Sequence, residues 1–326
     1  MPLIVTKTPF RVSFVGGGSD LPSFYRHHKG AVVSASINQF MYVSVKGSFE
    51  SEYILHYSKT ERTNDLENIE HPLIKNTLKE LGFKVPLQVS SLADIPASGT
   101  GLGSSSSFTV GLTHALKCMM EQRVSKKELA EIACKVEIDR CGEPIGKQDQ
   151  YAAALGGFNV YEFNKDETVK ITPVNITAQV SKTFQNKLQF FYTNKSRSTS
   201  SILSQQNENM KMADKTALMR RMVKLVGEFK QAIERSDFDV IGQILHENWM
   251  LKKQMSDDIS DHEMDAAYES TIAAGATGGK LLGAGGGGFF MTYADPQNHR
   301  KIRQALSKYK ECKFSFSYSG SEVFKI

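Results

Sequence analysis

Apolar and polar residues alternate with a period of two in short N-terminal runs at residues 3–6, 11–15, 31–37, 41–46 and 53–57. Alternation puts one side of each run into a core and predicts the strands of a sheet. A helical stretch near 72–81 separates them from a further strand at 86–91, after which Asp94, Pro96 and Gly99 break regular structure. The period then changes. Between 104 and 120, the residues Phe108, Val110, Leu112, Ala115, Leu116 and Met119 predict a helix buried on most sides. A second helix begins at Ser125, with Glu128 at capping-box spacing, carries the apolar stripe Leu129, Ile132, Ala133 and Val136, and ends near Cys141-Gly142.

Beyond Gly156-Gly157 a strand is predicted at 158–163, a more polar stretch follows, and an apolar strand returns at 188–193. Helical periodicity dominates at 213–235, 238–255 and 260–274, the last with Ser260 and Glu263 as a capping-box pair and Gly275 as its stop. Strands at 289–293, 313–317 and 322–326, with a helix at 300–308, close the chain. The expected class is α+β, in two domains, 1–170 and 171–326, with a cleft between them.

Composition adds mainly exclusions. At 40% hydrophobic and 23% charged residues the chain can bury a core along its length, so no disordered tract is expected. The net charge of +5, from 40 basic and 35 acidic residues spread along the sequence, is too diffuse for a nucleic-acid footprint and favours a small anionic substrate. The basic pairs Lys126-Lys127, Arg220-Arg221 and Lys252-Lys253 fall in helical stretches beside acidic residues and read as solvated faces. Cys118, Cys134, Cys141 and Cys312 form no C-x-x-C pair, so reduced thiols are expected. The N-terminus lacks the pattern of a signal peptide and no run approaches a membrane span, so a cytoplasmic location is expected.

The strongest chemical signal is Ser98-Gly99-Thr100-Gly101-Leu102-Gly103-Ser104-Ser105-Ser106-Ser107, glycines and serines leading into an apolar helix. Glycines admit phosphate oxygens close to backbone N–H groups, and a helix start offers unpaired N–H groups and a positive dipole end. No Gly-Lys-Ser/Thr follows, so this is not a Walker A loop. A second cluster, Gly283-Ala284-Gly285-Gly286-Gly287-Gly288, formally contains G-x-G-x-x-G. The dinucleotide fingerprint should open a helix, whereas here a helix is expected before and a strand after, leaving a loop packed against ligand or a purely structural turn.

Two further segments carry carboxylates. The strand at 11–15 runs into Gly16-Gly17-Gly18-Ser19-Asp20, which suits sugar hydroxyls or caps an ordinary turn. Between two expected helices lie Glu137, Asp139, Glu143 and Asp149 around a Gly-Pro turn. Phosphoryl transfer uses one carboxylate near the acceptor hydroxyl and another, with a serine, near Mg²⁺. From spacing alone, surface charge is the favoured reading.

Taken in order, the segments at 9–20, 99–105 and 283–288 resemble the three motifs of the GHMP kinases, the superfamily of galactokinase, homoserine kinase and mevalonate kinase. Within it, Gly-Gly-Gly-Ser-Asp-Leu-Pro and the segment from Gly142 to Tyr151 resemble the bacterial D-glycero-D-manno-heptose 7-phosphate kinases. The resemblance implies an α/β-type N-terminal domain with a left-handed βαβ crossover, a ferredoxin-like C-terminal domain, and an active site in the cleft. It implies ATP and Mg²⁺, and phosphorylation of the anomeric hydroxyl of the heptose 7-phosphate for nucleotide-activated heptose and surface polysaccharide. Other sugar 1-kinases resembling galactokinase or fucokinase stay open, as do a non-catalytic sugar and nucleotide sensor and an NAD-binding oxidoreductase using Gly283 to Gly288.

Position by position, the resemblance makes Asp149 catalytic, as base or positioner, with Arg11 supporting charge at the reacting centre. Gly99, Gly101, Leu102, Gly103, Ser104, Ser105 and Ser106 match nucleotide-binding positions. Ser105 and Glu137 match magnesium ligands, with Asp139 as the alternative to Glu137. Gly17, Gly18, Ser19, Asp20, Gly285 and Gly286 match substrate-binding positions. Arg197 and Lys195 are candidates for an anionic group of the substrate, or part of an exposed basic turn. The expected partner is a small sugar phosphate, with neither nucleic acid nor membrane; oligomeric state is open, a homodimer included.

Overall fold

The runs at 3–6 and 11–15 belong to one strand, β1 (Ile4–Val15), and those at 31–37 and 41–46 to β2 (Gly30–Gly47), with α1 (Pro22–Tyr25) in the connection. Pro9, which has no N–H for the ladder, is accommodated where the β1–β2 register shifts between Pro9 and Arg11. The structure, a computed structural model, describes residues 2–96, 99–195 and 199–326. The hairpin β3 (Tyr53–His56) and β4 (Thr60–Thr63) is followed by α2 (Pro72–Glu80) and β5 (Leu87–Ala93), which lies parallel to β3 and antiparallel to β2.

α3 (Ser104–Met119) then covers this sheet, and α4 (Lys126–Cys134) packs against α3. The expected capping box is formed, Ser125 Oγ accepting from Glu128 N at 3.2 Å and Glu128 Oε2 from Ser125 N at 2.8 Å. α4 continues into a π-helical turn, Lys135–Arg140, and α5 (Gln148–Leu155) leads to the hairpin β6 (Phe158–Phe163) and β7 (Val169–Pro173). β2 serves two partners, Met41 to Gly47 pairing with β5 and Gly30 to Ala35 with β6.

The second half adds α6 (Ala178–Asn186), β8 (Leu188–Tyr192), α7 (Thr199–Asn209), α8 (Ala213–Glu234), α9 (Phe238–Lys253) and α10 (His262–Ala273). It closes with β9 (Ala276–Leu281), β10 (Phe289–Ala294), α11 (His299–Ala305), β11 (Lys310–Cys312) and β12 (Glu322–Lys325). Its antiparallel sheet has the order β11-β8-β10-β9, while β12 returns to pair with β1 in the larger sheet. An aromatic cluster joins the two sheets: Phe14 of β1 stacks on Phe229 of α8 at 5.8 Å, Phe158 of β6 on Phe184 of α6 at 6.0 Å, and Phe184 in turn lies 5.8 Å from Tyr293 of β10.

The α+β class is as the pattern implied, and three local expectations are corrected. The strand expected at 313–317 lies at Lys310–Cys312, with only an isolated bridge from Phe316 to Ile37 beyond it. The cap of α10 is Asp261, which accepts from Met264 N at 2.9 Å, while Ser260 Oγ bonds to Asp265 instead. A strand, β9, stands between that helix and the second glycine cluster. Its Ala-Thr-Gly-Gly-Lys-Leu lacks strand propensity, but glycine is needed there: a Cβ on Gly278 would lie 2.5 Å from Gly242 O of α9, and one on Gly279 2.6 Å from Met291 O.

Candidate active site

The first glycine loop is built from left-handed residues, Gly99, Gly101 and Gly103 having φ of 69°, 72° and 79°. Gly103 is the N-cap of the 16-residue α3 and offers no side chain, so the first-turn N–H groups have no side-chain cap. The start of α3 is pinned to β1 by Ser107 Oγ donating to Pro9 O at 2.8 Å, and Thr100 Oγ1 pairs with Ser104 Oγ at 3.2 Å.

The second glycine cluster is the β9–β10 hairpin loop and packs backbone against backbone on the first. A Cβ on Gly101 would stand 2.3 Å from Leu282 O, on Gly283 2.6 Å from Gly101 Cα, and on Gly288 2.4 Å from Thr100 O. Phe289 N donates to Thr100 O at 3.2 Å. Gly283 and Ala284 line the cleft, whereas Gly285 and Gly286 turn away onto Ile259, whose O accepts from Gly286 N at 2.9 Å. A strand on both sides, with no helix opened, leaves the dinucleotide fingerprint without its frame.

Between these loops lies a cleft of about 430 Å³. Arg11, buried on β1, grips Asp149 in the first turn of α5 with two bonds, Nε to Oδ1 at 2.7 Å and Nη2 to Oδ2 at 2.6 Å. Nη1 donates to Gly101 O at 2.5 Å, so one guanidinium fixes both the carboxylate and the glycine loop. Gly103 leaves space for the pair, since a Cβ there would be 3.2 Å from Asp149 Oδ2.

Asp20 is buried beside them. It accepts from Gly18 N at 3.0 Å and Gln148 N at 3.2 Å, and burial, with the Asp149 charge adding to it, raises its carboxyl above the ordinary range. Gly146 permits this, because a Cβ would fall 2.0 Å from Asp20 Oδ2. Gly17 and Gly18 line the cleft, while the Ser19 hydroxyl is spent inside the β1–β2 connection, donating to Ala31 O at 2.8 Å. Leu102 is fully buried and contributes its carbonyl to Arg11 N at 3.0 Å.

Glu137 projects from the π-helical turn into the cleft, 1% exposed, with Gln150 Nε2 donating to it at 2.6 Å. Burial pushes its carboxyl up to about 7, against the pull of Ser106, Gln150 and Ser105. Asp139, its alternative, is exposed and does not line the cleft. Among the described residues no three His, Cys, Asp or Glu side chains converge.

Lys195 is paired with Asp261 and Glu263, and Ser98 and Arg197 lie outside the described residues. Lys252, expected on a solvated face, is instead buried and lines the cleft, whereas Lys253 pairs with Asp265 at 3.0 Å. Lys280 of β9 is buried behind the site, donating to Phe14 O at 3.3 Å. The surrounding Ile244, Leu245 and Trp249 give α9 an apolar side that could have drawn Lys252 inward, but adjacent Lys253 masked the signal.

The chain is similar in sequence and in fold to known proteins. The GHMP kinases N terminal domain matches residues 69–157 and the GHMP kinases C terminal domain residues 229–312. A D-glycero-alpha-D-manno-heptose 7-phosphate kinase of Campylobacter jejuni is 30% identical, covering 100% of both chains, and a galactokinase of Pyrococcus furiosus is 23% identical over 97% of this chain and 96% of its own. In fold, the chain is similar to a D-glycero-D-manno-heptose 1-phosphate kinase of Bacteriodes thetaiotaomicron, with a TM-score of 0.81, 22% identity and 99% of each chain covered. With both family domains matched and a relative 30% identical over the full length, and with a glycine-lined helix start facing an arginine-held carboxylate, this protein belongs to the GHMP kinase family of ATP-dependent phosphotransferases.

Proposed function

We propose that the protein transfers the γ-phosphoryl group of ATP to the anomeric hydroxyl of D-glycero-D-manno-heptose 7-phosphate, giving the 1,7-bisphosphate, in the cytoplasm. The observation that carries the reading is the Arg11–Asp149 pair, set between the uncapped start of α3 and buried Asp20. Full-length similarity to the Campylobacter enzyme supports the choice of acceptor. In this reading the N–H groups and hydroxyls from Gly101 to Ser106 bind the ATP phosphates. Asp149 holds the acceptor hydroxyl in line, and Arg11 offsets negative charge as transfer proceeds. Asp20 takes sugar hydroxyls. The proposed division is into 1–170 and 171–326, its boundary falling within β7 and β12 reaching back from the second part to pair with β1 of the first.

The residues fit a divalent cation. Glu137 is a buried carboxylate with no cationic partner among the described residues, and a positive charge beside it would offset the cost of its burial. Glu137 and Ser105 would hold Mg²⁺, which supplies charge neutralisation for the β- and γ-phosphates.

The test is incubation with ATP, Mg²⁺ and a panel of sugars and sugar phosphates, read by ADP release and product identification. Heptose 7-phosphate is expected to yield the 1,7-bisphosphate. Turnover of an unphosphorylated sugar in its place would reassign the acceptor, and binding without ADP formation would end the kinase reading.

A further inference from the structure

Lys252 extends from α9 to the cleft wall behind Gly17 and Gly18. Although only 3% exposed, it lines the cleft, and its Nζ donates to Gln206 Oε1 at 2.8 Å and to Gly17 O at 3.3 Å. Both acceptors are neutral. Among the described residues no carboxylate makes an ion pair with this ammonium, which has three N–H donors and two named acceptors. An unpaired buried charge is costly, and burial pushes the Lys252 ammonium down to about 8 even with Asp20 acting the other way. Gly18 is the opening through which this group meets the cleft: φ is 102°, and a Cβ would lie 3.2 Å from Lys252 Nζ and 3.3 Å from Gln206 Oε1.

Across the same glycines stands Asp20, also buried and cleft-lining, fixed by Gly18 N and Gln148 N. Ammonium and carboxylate therefore face one cavity without touching. A group placed between them must accept from one and donate to the other. A hydroxyl does both; a phosphoryl oxygen offers no proton to Asp20 and would be repelled by it.

We propose that Lys252, aimed by Gln206, is a specificity-determining residue that accepts a single acceptor hydroxyl jointly with Asp20, Nζ donating to the hydroxyl oxygen and the hydroxyl proton going to the carboxylate. The inference rests on the sugar-kinase reading above. Lys252 touches the acceptor; Gln206 is a positioning residue acting through it. The arrangement rejects acceptors lacking that hydroxyl, since each buried partner would then be left without its bond.

The experiment is steady-state kinetics of wild type, Lys252→Met and Gln206→Glu with the accepted sugar phosphate and its deoxy analogues, alongside thermal unfolding of each protein. For Lys252→Met, the acceptor KM should rise about 10- to 100-fold, the loss of a charge-assisted bond, with the ATP KM nearly unchanged. One deoxy analogue should show a similar loss with wild type and little further loss with Lys252→Met. Gln206→Glu, which pairs the ammonium with a new carboxylate, should raise the acceptor KM in a folded protein and provides the readout if Lys252→Met does not fold. A wild-type enzyme that phosphorylates a sugar, combined with folded variants that keep its acceptor KM, overturns this proposal alone. No sugar turned over by wild type overturns the reading beneath it.

Discussion

Both oxygens of Asp149 are taken by Arg11, and this occupancy bears on the chemistry. In the proposed reaction a carboxylate held so firmly is oriented before the acceptor arrives, and proton removal need not be early when the transition state is loose. Asp149→Asn keeps an oxygen for Arg11 Nε and should lower kcat by less than the roughly 10²- to 10⁴-fold of a general base. A fall beyond that range, with acceptor binding retained by calorimetry, would make Asp149 the base. Lys280 gives a second prediction. Burial, with Lys252 and Arg11 adding repulsion, pushes its ammonium from 10.5 down to about 7 in the folded protein, so the unfolded chain binds more protons between those values and stability rises with pH across them. Lys280→Met removes the buried charge and should stabilise by about 1–4 kcal/mol at pH 7, the gain shrinking toward pH 10 in urea titrations. Residue identity announced Asp149, Arg11 and Glu137 only through their neighbours in the motifs. Lys252 and Lys280 gave no such notice, because a lysine's burial depends on which elements cover it.

At the scale of elements, alternation located the main strands and capping residues located the start of α4, since both are local consequences of side-chain chemistry. β9 escaped because its glycines answer to neighbours distant in sequence, Gly278 to α9 and Gly279 to β10, and α6 and α7 because their apolar stripes are short. The first glycine loop was legible as a phosphate-binding candidate and the second as a loop packed against ligand or a structural turn, but their contact with each other was not legible, being a matter of tertiary placement. Gly101→Ala should therefore act twice, through a left-handed φ and a Cβ 2.3 Å from Leu282 O, and cost about 1–3 kcal/mol with a raised ATP KM. Gly82, also left-handed but with open space around a Cβ, is the control: Gly82→Ala should cost about 1 kcal/mol and leave the ATP KM unchanged. Chemical denaturation and nucleotide titration would separate the two.

The whole molecule is tied by the aromatic cluster that both sheets share. Phe184 is fully buried against Phe14, Phe158 and Phe229, so Phe184→Ala should cost about 3–5 kcal/mol. Because the cluster spans both halves, wild type and variant should each unfold in one transition, with Trp249 fluorescence and far-UV circular dichroism coincident. Separate transitions would show that the halves hold together only loosely. The contact between Gly101 and Gly283 also has a meaning for how the protein is made. Translation delivers the first glycine loop well before the β9–β10 hairpin that backs it. In the kinase reading proposed above, a chain truncated before Gly283 has the α3 start without its wall and is expected to bind ATP more weakly than the chain that carries the β9–β10 hairpin, a difference that nucleotide titration would read.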